Sequence, residues 1–267
     1  MWTFRPNCLK HPAGKLESSE LEPAESMLTK LRYLLLQVRN PDDPMCVQEL
    51  GCFARALHCE LKQIRPFDLL TGSPDVTFLS RFDLLLIGGS GHYAATGDEV
   101  WLERALDSLR EIHDLGKPTF ASCWGFQAFS RAMGGSVVKD LTRAELGTRT
   151  LQLTSAGQND RMFGPLGDHF QGQMGHEDLV QVLPADAVLL ASTDLVENQA
   201  YRFRNKPIYC TQFHPELNRK SLLQRLETYP EYVERISGTT MEEFAAGVVD
   251  TPETEALLLR FVQHVFG

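Results

Sequence analysis

The sequence has no long apolar run and no block of positive charge. Its apolar runs, such as Tyr33–Leu36 and Leu84–Ile87, are far shorter than the ~18 residues that a membrane helix needs. The formal net charge is -9, and the basic side chains are scattered along the chain. Because nucleic acids and anionic membrane surfaces attract concentrated positive charge, we expect neither a nucleic-acid partner nor a membrane partner.

Closely spaced cysteine pairs are also missing, and we expect no export signal. Residues 1–28 mix Pro, Lys and Glu and contain no apolar segment of the kind that a signal peptide needs. We therefore expect a cytoplasmic protein with reduced thiols. His169 and His176, with Glu177 beside the second, lack a third ligand at a recognisable spacing, so we expect no metal site and no cofactor. The six cysteines are residues 8, 46, 52, 59, 123 and 210.

The composition is that of an ordinary folded protein. Of the 267 residues, 43% are hydrophobic and 23% are charged. The length suits one large domain or one domain with appendages. We divide the chain into an N-terminal arm at 1–28, a main domain at 29–217 and a C-terminal helical extension at 218–267. The extension contains enough apolar side chains to need burial, either against its own domain or in a homodimer.

Short apolar segments alternate with helical patterns through the first half of the chain. A buried strand is expected at Leu31–Val38, followed by a helix in which Leu50, Phe53, Ala54 and Leu57 recur at helical spacing. The elements expected next are a strand at Lys62–Arg65, a strand at Asp83–Ile87, a helix capped by Asp98 that ends near Leu115, a strand at Pro118–Ser122 and a helix that ends at Gly134. Such alternation is typical of an α/β fold with a mostly parallel sheet and helices on both faces. Short strands and turns at 136–213 indicate a more antiparallel edge region.

Cys123 stands at a predicted junction between a strand and a helix, in the run Phe120–Gln127. A sharp turn at such a junction projects a nucleophile at the carboxyl end of the sheet, and a small neighbour such as Gly125 permits close packing. The positive end of the helix favours a thiolate, and its free N–H groups can stabilise an oxyanion. We interpret Cys123 as a candidate nucleophile; without a partner base, an inert core cysteine is the alternative.

A candidate base and a carboxylate occur far downstream, at His214 and Glu216, at the end of a predicted apolar strand. In an extended segment residues i and i+2 face the same side, so the two side chains can act together, and Pro215 would keep the segment extended. A nucleophile, a general base and an orienting carboxylate form the arrangement that activates a thiol for acyl transfer. Taken alone, this His-Pro-Glu sequence would be interpreted as a polar loop.

Three motifs in this order resemble those of the class I (triad) glutamine amidotransferases. They are Gly88-Gly89 after a strand, Cys123-Trp124-Gly125-Phe126-Gln127 with Gly134-Gly135 behind it, and Gln212-Phe213-His214-Pro215-Glu216. The resemblance covers residues 31–217 and implies a flavodoxin-like α/β fold. It also implies that Cys123 is the nucleophile, His214 the base and Glu216 the third member of a catalytic triad.

The same resemblance implies an oxyanion hole and substrate contacts. The N–H groups of Gly89 and Trp124 would form the oxyanion hole, and Gly88 and Gln127 would help to hold the substrate. The chemistry agrees, because a glycine turn brings its N–H close to a reacting carbonyl and the residue after the nucleophile offers the first free N–H of a helix. Taken alone, the glycines would form a plain tight turn and Gln127 would be a solvated helix residue.

Residues 172–180 fall where the family places a segment whose backbone contacts the amino-acid end of the substrate. Many synthetase-linked members have a Ser-His-Gly-Asp type of sequence there, whereas this chain has Gly175-His176-Glu177-Asp178. In this respect the chain is more similar to the stand-alone and γ-glutamyl-peptidase-like members. Gly175 and His176 are expected to bind substrate, and His176 and Asp178 are candidates for contacting its charged ends. A surface turn with a structural histidine is the alternative.

The sequence thus predicts a thiol hydrolase that cleaves the γ-amide of glutamine or of a γ-glutamyl compound, a small-molecule substrate, through a γ-glutamyl thioester. No Gly-x-x-x-x-Gly-Lys loop is present, so ammonia would be used by a separate synthetase partner unless the protein is a free-standing hydrolase. Two alternatives stay open. One is a catalytically quiet binding or regulatory subunit of a synthetase, and the other is an intracellular cysteine peptidase of the same superfamily.

Overall fold

The computed structural model describes residues 30–267, so the expected arm at 1–28 lies outside the described residues. No helix within 30–267 is long and apolar enough to cross a membrane. The strands are β1 (Tyr33–Gln37), β2 (Ile64–Asp68), β3 (Leu84–Ile87), β4 (Thr119–Ser122), β5 (Ser136–Lys139), β6 (Glu145–Leu153), β7 (His169–His176), β8 (Asp178–Val182), β9 (Ala187–Ser192), β10 (Ala200–Phe203) and β11 (Ile208–Thr211). The α-helices are α1 (Met45–Ala56), α2 (Val76–Leu79), α3 (Val100–Leu115), α4 (Trp124–Ala132), α5 (Ser155–Gln158), α6 (Arg219–Thr228), α7 (Met241–Ala246) and α8 (Pro252–Phe266).

Most of these strands form one sheet, in the order β2-β1-β3-β4-β11-β10-β9-β6-β7, while β5 pairs with β8 separately. Strands β2, β1, β3, β4 and β11 are parallel to one another. From β11 outward through β10, β9, β6 and β7 every pairing is antiparallel. The predicted α/β, flavodoxin-like fold, with a parallel centre and an antiparallel edge region, is confirmed.

The central strands are buried on both faces because their side chains are apolar in both directions. Along β1, alternate residues enter different cores, as the two-residue repeat of a strand requires. Leu34 and Leu36 join a cluster with side chains of α3 and α4. Tyr33 and Leu35 join a second cluster with side chains of α1 and α8. The helices therefore cover both faces of the sheet, as predicted.

Two predicted element boundaries are wrong by a few residues. The second strand is Ile64–Asp68 rather than Lys62–Arg65, because Leu61–Gln63 form a 3₁₀ turn before it. Helix α3 begins directly after Glu99, so Asp98 does not cap it. Both differences concern the ends of elements, which are the least certain part of any sequence pattern. The order of the elements is unchanged.

The C-terminal residues are covered by the rest of the chain. Leu257, Leu258 and Phe261 of α8 are fully buried in the cluster on one face of the sheet. Leu222 and Leu226 of α6 belong to a third cluster, beside β6. Because these apolar side chains are buried within one chain, they do not require a second copy. The homodimer and the domain boundary at residue 217 stay predictions.

Candidate active site

The segments that follow three neighbouring parallel strands meet at one edge of the sheet. Strands β3, β4 and β11 end at Ile87, Ser122 and Thr211, and each predicted motif follows its strand directly. In sheets of this kind the carboxyl ends of the strands line the ligand crevice. The fold therefore brings together three motifs that are far apart in the sequence.

Cys123 occupies the tight turn between β4 and α4. Its backbone has a φ of 52° and a ψ of −103°, a combination that residues with a Cβ rarely adopt. A Cβ on Gly125 would come within 2.7 Å of Ile87 Cγ2, so glycine is needed for α4 to start this close to β3. The strand–turn–helix arrangement expected around Cys123 is present, and Cys123 lines a pocket.

The strain at Cys123 leads to a prediction about stability. Cys123→Gly should have a higher free energy of unfolding than Cys123→Ala, by about 1 kcal/mol, because glycine adopts these angles without the penalty of a Cβ. Both variants lack the thiol, so the comparison isolates the backbone effect. Urea denaturation of the two proteins measures it. Equal stabilities, or a less stable glycine variant, would show that the turn is not strained.

His214 and Glu216 form a buried pair beside this turn. His214 Nδ1 lies 2.7 Å from Glu216 Oε1. The expectation of an extended segment is wrong, because β11 ends at Thr211 and the Leu217 N–H donates to the His214 carbonyl at 3.2 Å in a turn. Pro215 stands at the second position of that turn, where its fixed φ is favoured. A turn, not a strand end, therefore brings the imidazole and the carboxylate together.

Charges around His214 keep its imidazole protonated at neutral pH. Burial lowers its pKa, but the charges of Glu216 and Cys123 and hydrogen bonds to both raise the pKa of His214 to about 9. Burial acts in the opposite sense on Glu216, yet the charges of His214 and Arg225 hold the pKa of this carboxyl below its usual range. The pair is therefore an imidazolium and a carboxylate, with the Cys123 thiol within hydrogen-bonding reach of His214.

Gly89 fits between the thiol and the imidazole. A Cβ at this position would lie 2.9 Å from His214 Cε1 and 3.6 Å from Cys123 Sγ, so a larger residue would displace one of them. On the other side of the thiol, Cys123 Sγ lies 3.8 Å from the Gly175 carbonyl oxygen. The structure thus brings Cys123, His214, Glu216, Gly89 and Gly175 together.

The expected oxyanion hole is only partly available. Trp124 is the first residue of α4, so its N–H has no acceptor within the helix. The Gly89 N–H, in contrast, donates to Glu49 Oε1 at 3.2 Å, while the Gly88 carbonyl accepts from the Gly125 N–H at 3.2 Å. In this conformation a buried carboxylate therefore already occupies the Gly89 N–H, and the part of Gly89 in the oxyanion hole stays a prediction.

Sequence reasoning did not identify Glu49. This residue of α1 is fully buried and forms an ion pair with Arg39 at 3.0 Å. A Cβ on Gly88 would come within 2.3 Å of its carboxylate, so Glu49 lies directly against the glycine turn. A signal was present, since Glu49 shares the buried face of α1 with Met45, Cys52 and other apolar residues. A lone carboxylate on such a face indicates a buried partner.

The side chains of Gln127 and His176 are held by the protein itself. Gln127 Nε2 donates to the Asp178 carbonyl at 2.9 Å and to Gln212 Oε1 at 3.0 Å. His176 Nδ1 lies 3.1 Å from the Asp178 carbonyl oxygen, and its Nε2 lies 3.3 Å from Glu145 Oε2. His176 ends a strand and is buried, so it is not part of a surface turn. The contacts of both side chains brace the segment that faces the thiol, and their predicted role in substrate binding stays a prediction.

A polar pocket of about 310 Å³ opens above the thiol. It is lined by Cys123, Gln127, Asp178, Glu231, Tyr232 and Arg235, among others. Glu177, which also lines this pocket, forms one ion pair with Lys139 at 2.8 Å and another with Arg235. Within residues 30–267, the Asp178 carboxylate has no described hydrogen bond or ion pair, and burial raises its pKa. Asp178 is thus a carboxylate that can still bind a cation.

The fold and the site together define a class of protein: an α/β protein with a cysteine on a strand-to-helix turn and a buried histidine–glutamate pair beside it. The model of the family described as glutamine amidotransferase class-I matches residues 56–226. That match covers more than half of the chain, and the chain belongs to this family. Membership of this family indicates, in general terms, an enzyme of the glutamine-amide hydrolase type.

The relatives agree with this membership. Gamma-glutamyl peptidase 3 of Arabidopsis thaliana is 29% identical over 188 residues, which cover 68% of this chain and 71% of that protein. A glutamine-hydrolyzing GMP synthase of Flavobacterium psychrophilum is 34% identical over 172 residues, which cover 64% of this chain but 29% of that protein. The crystal structure of a glutamine amidotransferase from Thermotoga maritima has a TM-score of 0.71 at 18% identity, covering 88% of this chain and 97% of that chain. The last comparison shows a shared fold.

Proposed function

We propose that this protein is a thiol hydrolase that cleaves the γ-amide bond of glutamine or of a γ-glutamyl compound. Cys123 attacks the γ-carbonyl carbon as the thiolate, with the thiol proton held by His214, and the C–N bond breaks as His214 gives that proton to the departing nitrogen. The neutral imidazole then takes a proton from water. The water oxygen attacks the γ-glutamyl thioester, the C–S bond breaks, and glutamate leaves. Glu216 orients His214 and stabilises its charged form.

One observation carries the proposal: Cys123, which lines the polar pocket, is hydrogen-bonded to His214 of the buried His214–Glu216 ion pair. The charge of Glu216 keeps a proton on His214, where it can be donated to a leaving nitrogen. The relatives support the substrate class, since their names describe γ-glutamyl peptidases and glutamine-hydrolyzing enzymes.

For the oxyanion, we assign the Trp124 N–H as the donor available in this conformation. A positioned N–H at a helix start stabilises the negative oxygen of the tetrahedral intermediate. The Gly89 N–H can join it only after its bond to Glu49 is broken, because one N–H cannot point at both acceptors. Gly88 contributes as a residue of the same glycine turn as Gly89.

Asp178 is proposed to bind the α-ammonium group of the substrate. Asp178 lines the polar pocket, and within residues 30–267 its carboxylate has no described hydrogen bond or ion pair, although the charges of Lys139 and His176 act on it. The Gly175–Asp178 backbone and the Gln127 contacts hold this wall in place. Lys139 and Arg235, which pair with Glu177, add positive charge close to it. The pocket therefore offers both signs of charge to a zwitterionic amino-acid end.

The role of Asp178 can be tested by substitution. We expect Asp178→Asn to raise KM for a γ-glutamyl donor by about 10- to 100-fold with a much smaller change in kcat, because a charge-assisted hydrogen bond of ~1.5–3 kcal/mol is lost. Steady-state glutamate release measures both constants. Asp98→Asn, which changes an exposed carboxylate outside the pocket, should leave KM unchanged. A normal KM in Asp178→Asn would remove this residue from the site.

The hydrolase itself is tested with the purified protein alone. Glutamate release is measured from glutamine and from a set of γ-glutamyl amides and peptides, with Cys123→Ala in parallel. Turnover that depends on Cys123 supports a free-standing hydrolase. A lack of turnover with every donor would contradict that form of the proposal.

A synthetase-dependent amidotransferase is the second candidate. The similarity to a GMP synthase favours it, because this chain covers less than a third of that protein and would need a separate partner to use the ammonia. Reaction of Cys123 with a glutamine-mimicking electrophile separates both enzymes from a catalytically quiet subunit. In an enzyme Cys123 reacts faster than the other cysteines, and in a quiet subunit it does not.

A further inference from the structure

Cys123 stands where two pockets of different chemistry meet. One is the polar pocket, which is lined by Asp178 and Arg235 among others. A second pocket, here called the apolar pocket, is lined by Leu146, Leu217, Leu222, Leu226, Tyr229 and Tyr232, among others. Both pockets are also lined by Cys123, Gly91 and Gly175. When the carbonyl carbon of a substrate lies at the thiol, one of its two substituents can therefore enter the polar pocket and the other the apolar pocket.

The position of His214 indicates which substituent enters which pocket. Among the described residues, His214 lines the apolar pocket and does not line the polar pocket. A general acid must lie within hydrogen-bond reach of the atom that it protonates. In the proposed reaction that atom is the departing nitrogen. The leaving amine therefore belongs on the side of the apolar pocket, and the glutamyl group belongs beside Asp178.

The cations that line the apolar pocket are already paired. Arg39 is buried and forms ion pairs with Asp43 at 3.3 Å and Glu49 at 3.0 Å. Arg225 lies 3.7 Å from Glu216, the partner of His214. A carboxylate on the leaving group would lose its hydration among leucine side chains without gaining a free cation, which is strongly unfavourable.

The apolar pocket is also small. Its volume is about 40 Å³. One water molecule needs roughly 10–15 Å³ of such space, so about three water-sized groups fit. Ammonia or a short alkylamine fits within this space, whereas an amino-acid or peptide leaving group would have to extend beyond it.

We propose that the apolar pocket receives the leaving amine and that the protein therefore selects γ-glutamyl compounds whose leaving group is ammonia or a small uncharged amine. Compounds whose leaving amine bears a carboxylate, such as γ-glutamyl peptides, are poor substrates. This inference rests on the hydrolase function proposed above. Leu226 is a specificity-determining residue because it helps to set the size of the pocket.

The test compares donors that differ only in the leaving amine. Glutamate release is measured from glutamine, γ-glutamyl methylamide, γ-glutamyl isobutylamide, γ-glutamylglycinamide and γ-glutamylglycine. We expect kcat/KM for the methylamide to exceed that for γ-glutamylglycine by at least tenfold. The glycinamide, which has the shape of glycine without its charge, should be cleaved faster than γ-glutamylglycine. The same ranking should hold for formation of the γ-glutamyl adduct on Cys123.

Variants of Leu226 test the size of the pocket. Leu226→Ala should raise kcat/KM for the isobutylamide relative to glutamine by at least threefold, and Leu226→Val is the smaller change to use if the alanine variant does not fold. Leu106→Ala, an equally apolar truncation in the core on the other face of the sheet, should not alter this ratio.

The possible outcomes separate this inference from the proposed function. Cleavage of γ-glutamylglycine as fast as the methylamide, with both dependent on Cys123, would overturn the inference and leave the hydrolase function standing. An unchanged isobutylamide-to-glutamine ratio in folded Leu226 variants would also overturn it. If no donor yields glutamate or an adduct on Cys123, the proposed function fails, and the inference fails with it.

Discussion

Cys123→Ala is expected to abolish glutamate release, lowering kcat by about 10⁴- to 10⁶-fold, the range found when an enzyme's nucleophile is removed. Cys123 is the cysteine whose side chain is hydrogen-bonded to His214 and contributes to its raised pKa. The loss should appear in kcat with all donors alike, because no thioester can form. Steady-state glutamate release, with circular dichroism to confirm the fold, measures the effect.

Cys210→Ala is the matched control for this substitution. Cys210 lies on β11, directly beside Ala121 of the strand that leads into Cys123, and burial raises the pKa of its thiol. Its removal changes a neighbouring cysteine without touching the proposed chemistry, so kcat should stay close to that of the wild type. A Cys123→Ala protein that keeps full activity would refute the mechanism.

Glu216→Gln should have the second largest effect, a fall in kcat of about 10²- to 10⁴-fold with little change in KM. The carboxylate orients His214 and stabilises its positive charge, and an amide does neither to the same extent. Comparison with Glu227→Gln, an exposed carboxylate of α6, shows what the loss of a charge alone does. Wild-type kcat in Glu216→Gln would exclude Glu216 from the catalytic group.

The pH profile checks the same claim independently. With the pKa of His214 raised to about 9, the imidazolium of the free enzyme persists to that pH, and kcat/KM should fall above it as the proton is lost. In Glu216→Gln the charge that raises this pKa is gone, so the alkaline limb should move to lower pH. An alkaline limb at the same pH in both proteins would contradict the assigned role of Glu216.

Local patterns were enough to predict the sheet and the turn at Cys123. The buried strands are continuous apolar runs, and the turn is marked by glycine and small residues within a few positions of the cysteine. Local patterns could not predict that Cys123 and His214 act together, because 90 residues of unrelated pattern separate them. The order of three motifs, as a family resemblance, supplied that prediction.

Contacts that depend on packing could not be predicted from the sequence. The bond from Gly89 to Glu49 joins residues 40 positions apart, and no spacing rule connects them. The turn at Pro215 could not be predicted because the pattern fits two conformations: an extended segment puts positions i and i+2 on the same side, and a turn brings them together. The proximity of Tyr232 and Arg235 to the pocket follows from how the chain folds back after α6. The cytoplasmic location and the synthetase partner stay predictions.

The most direct measurement is the mass of the acid-quenched protein during turnover of a γ-glutamyl donor, followed by peptide mapping. We predict a transient increase by one γ-glutamyl group, located on Cys123 and absent from Cys123→Ala. Steady glutamate release with no adduct on any cysteine, or with the adduct on a different residue, would contradict the assignment of Cys123 as the nucleophile.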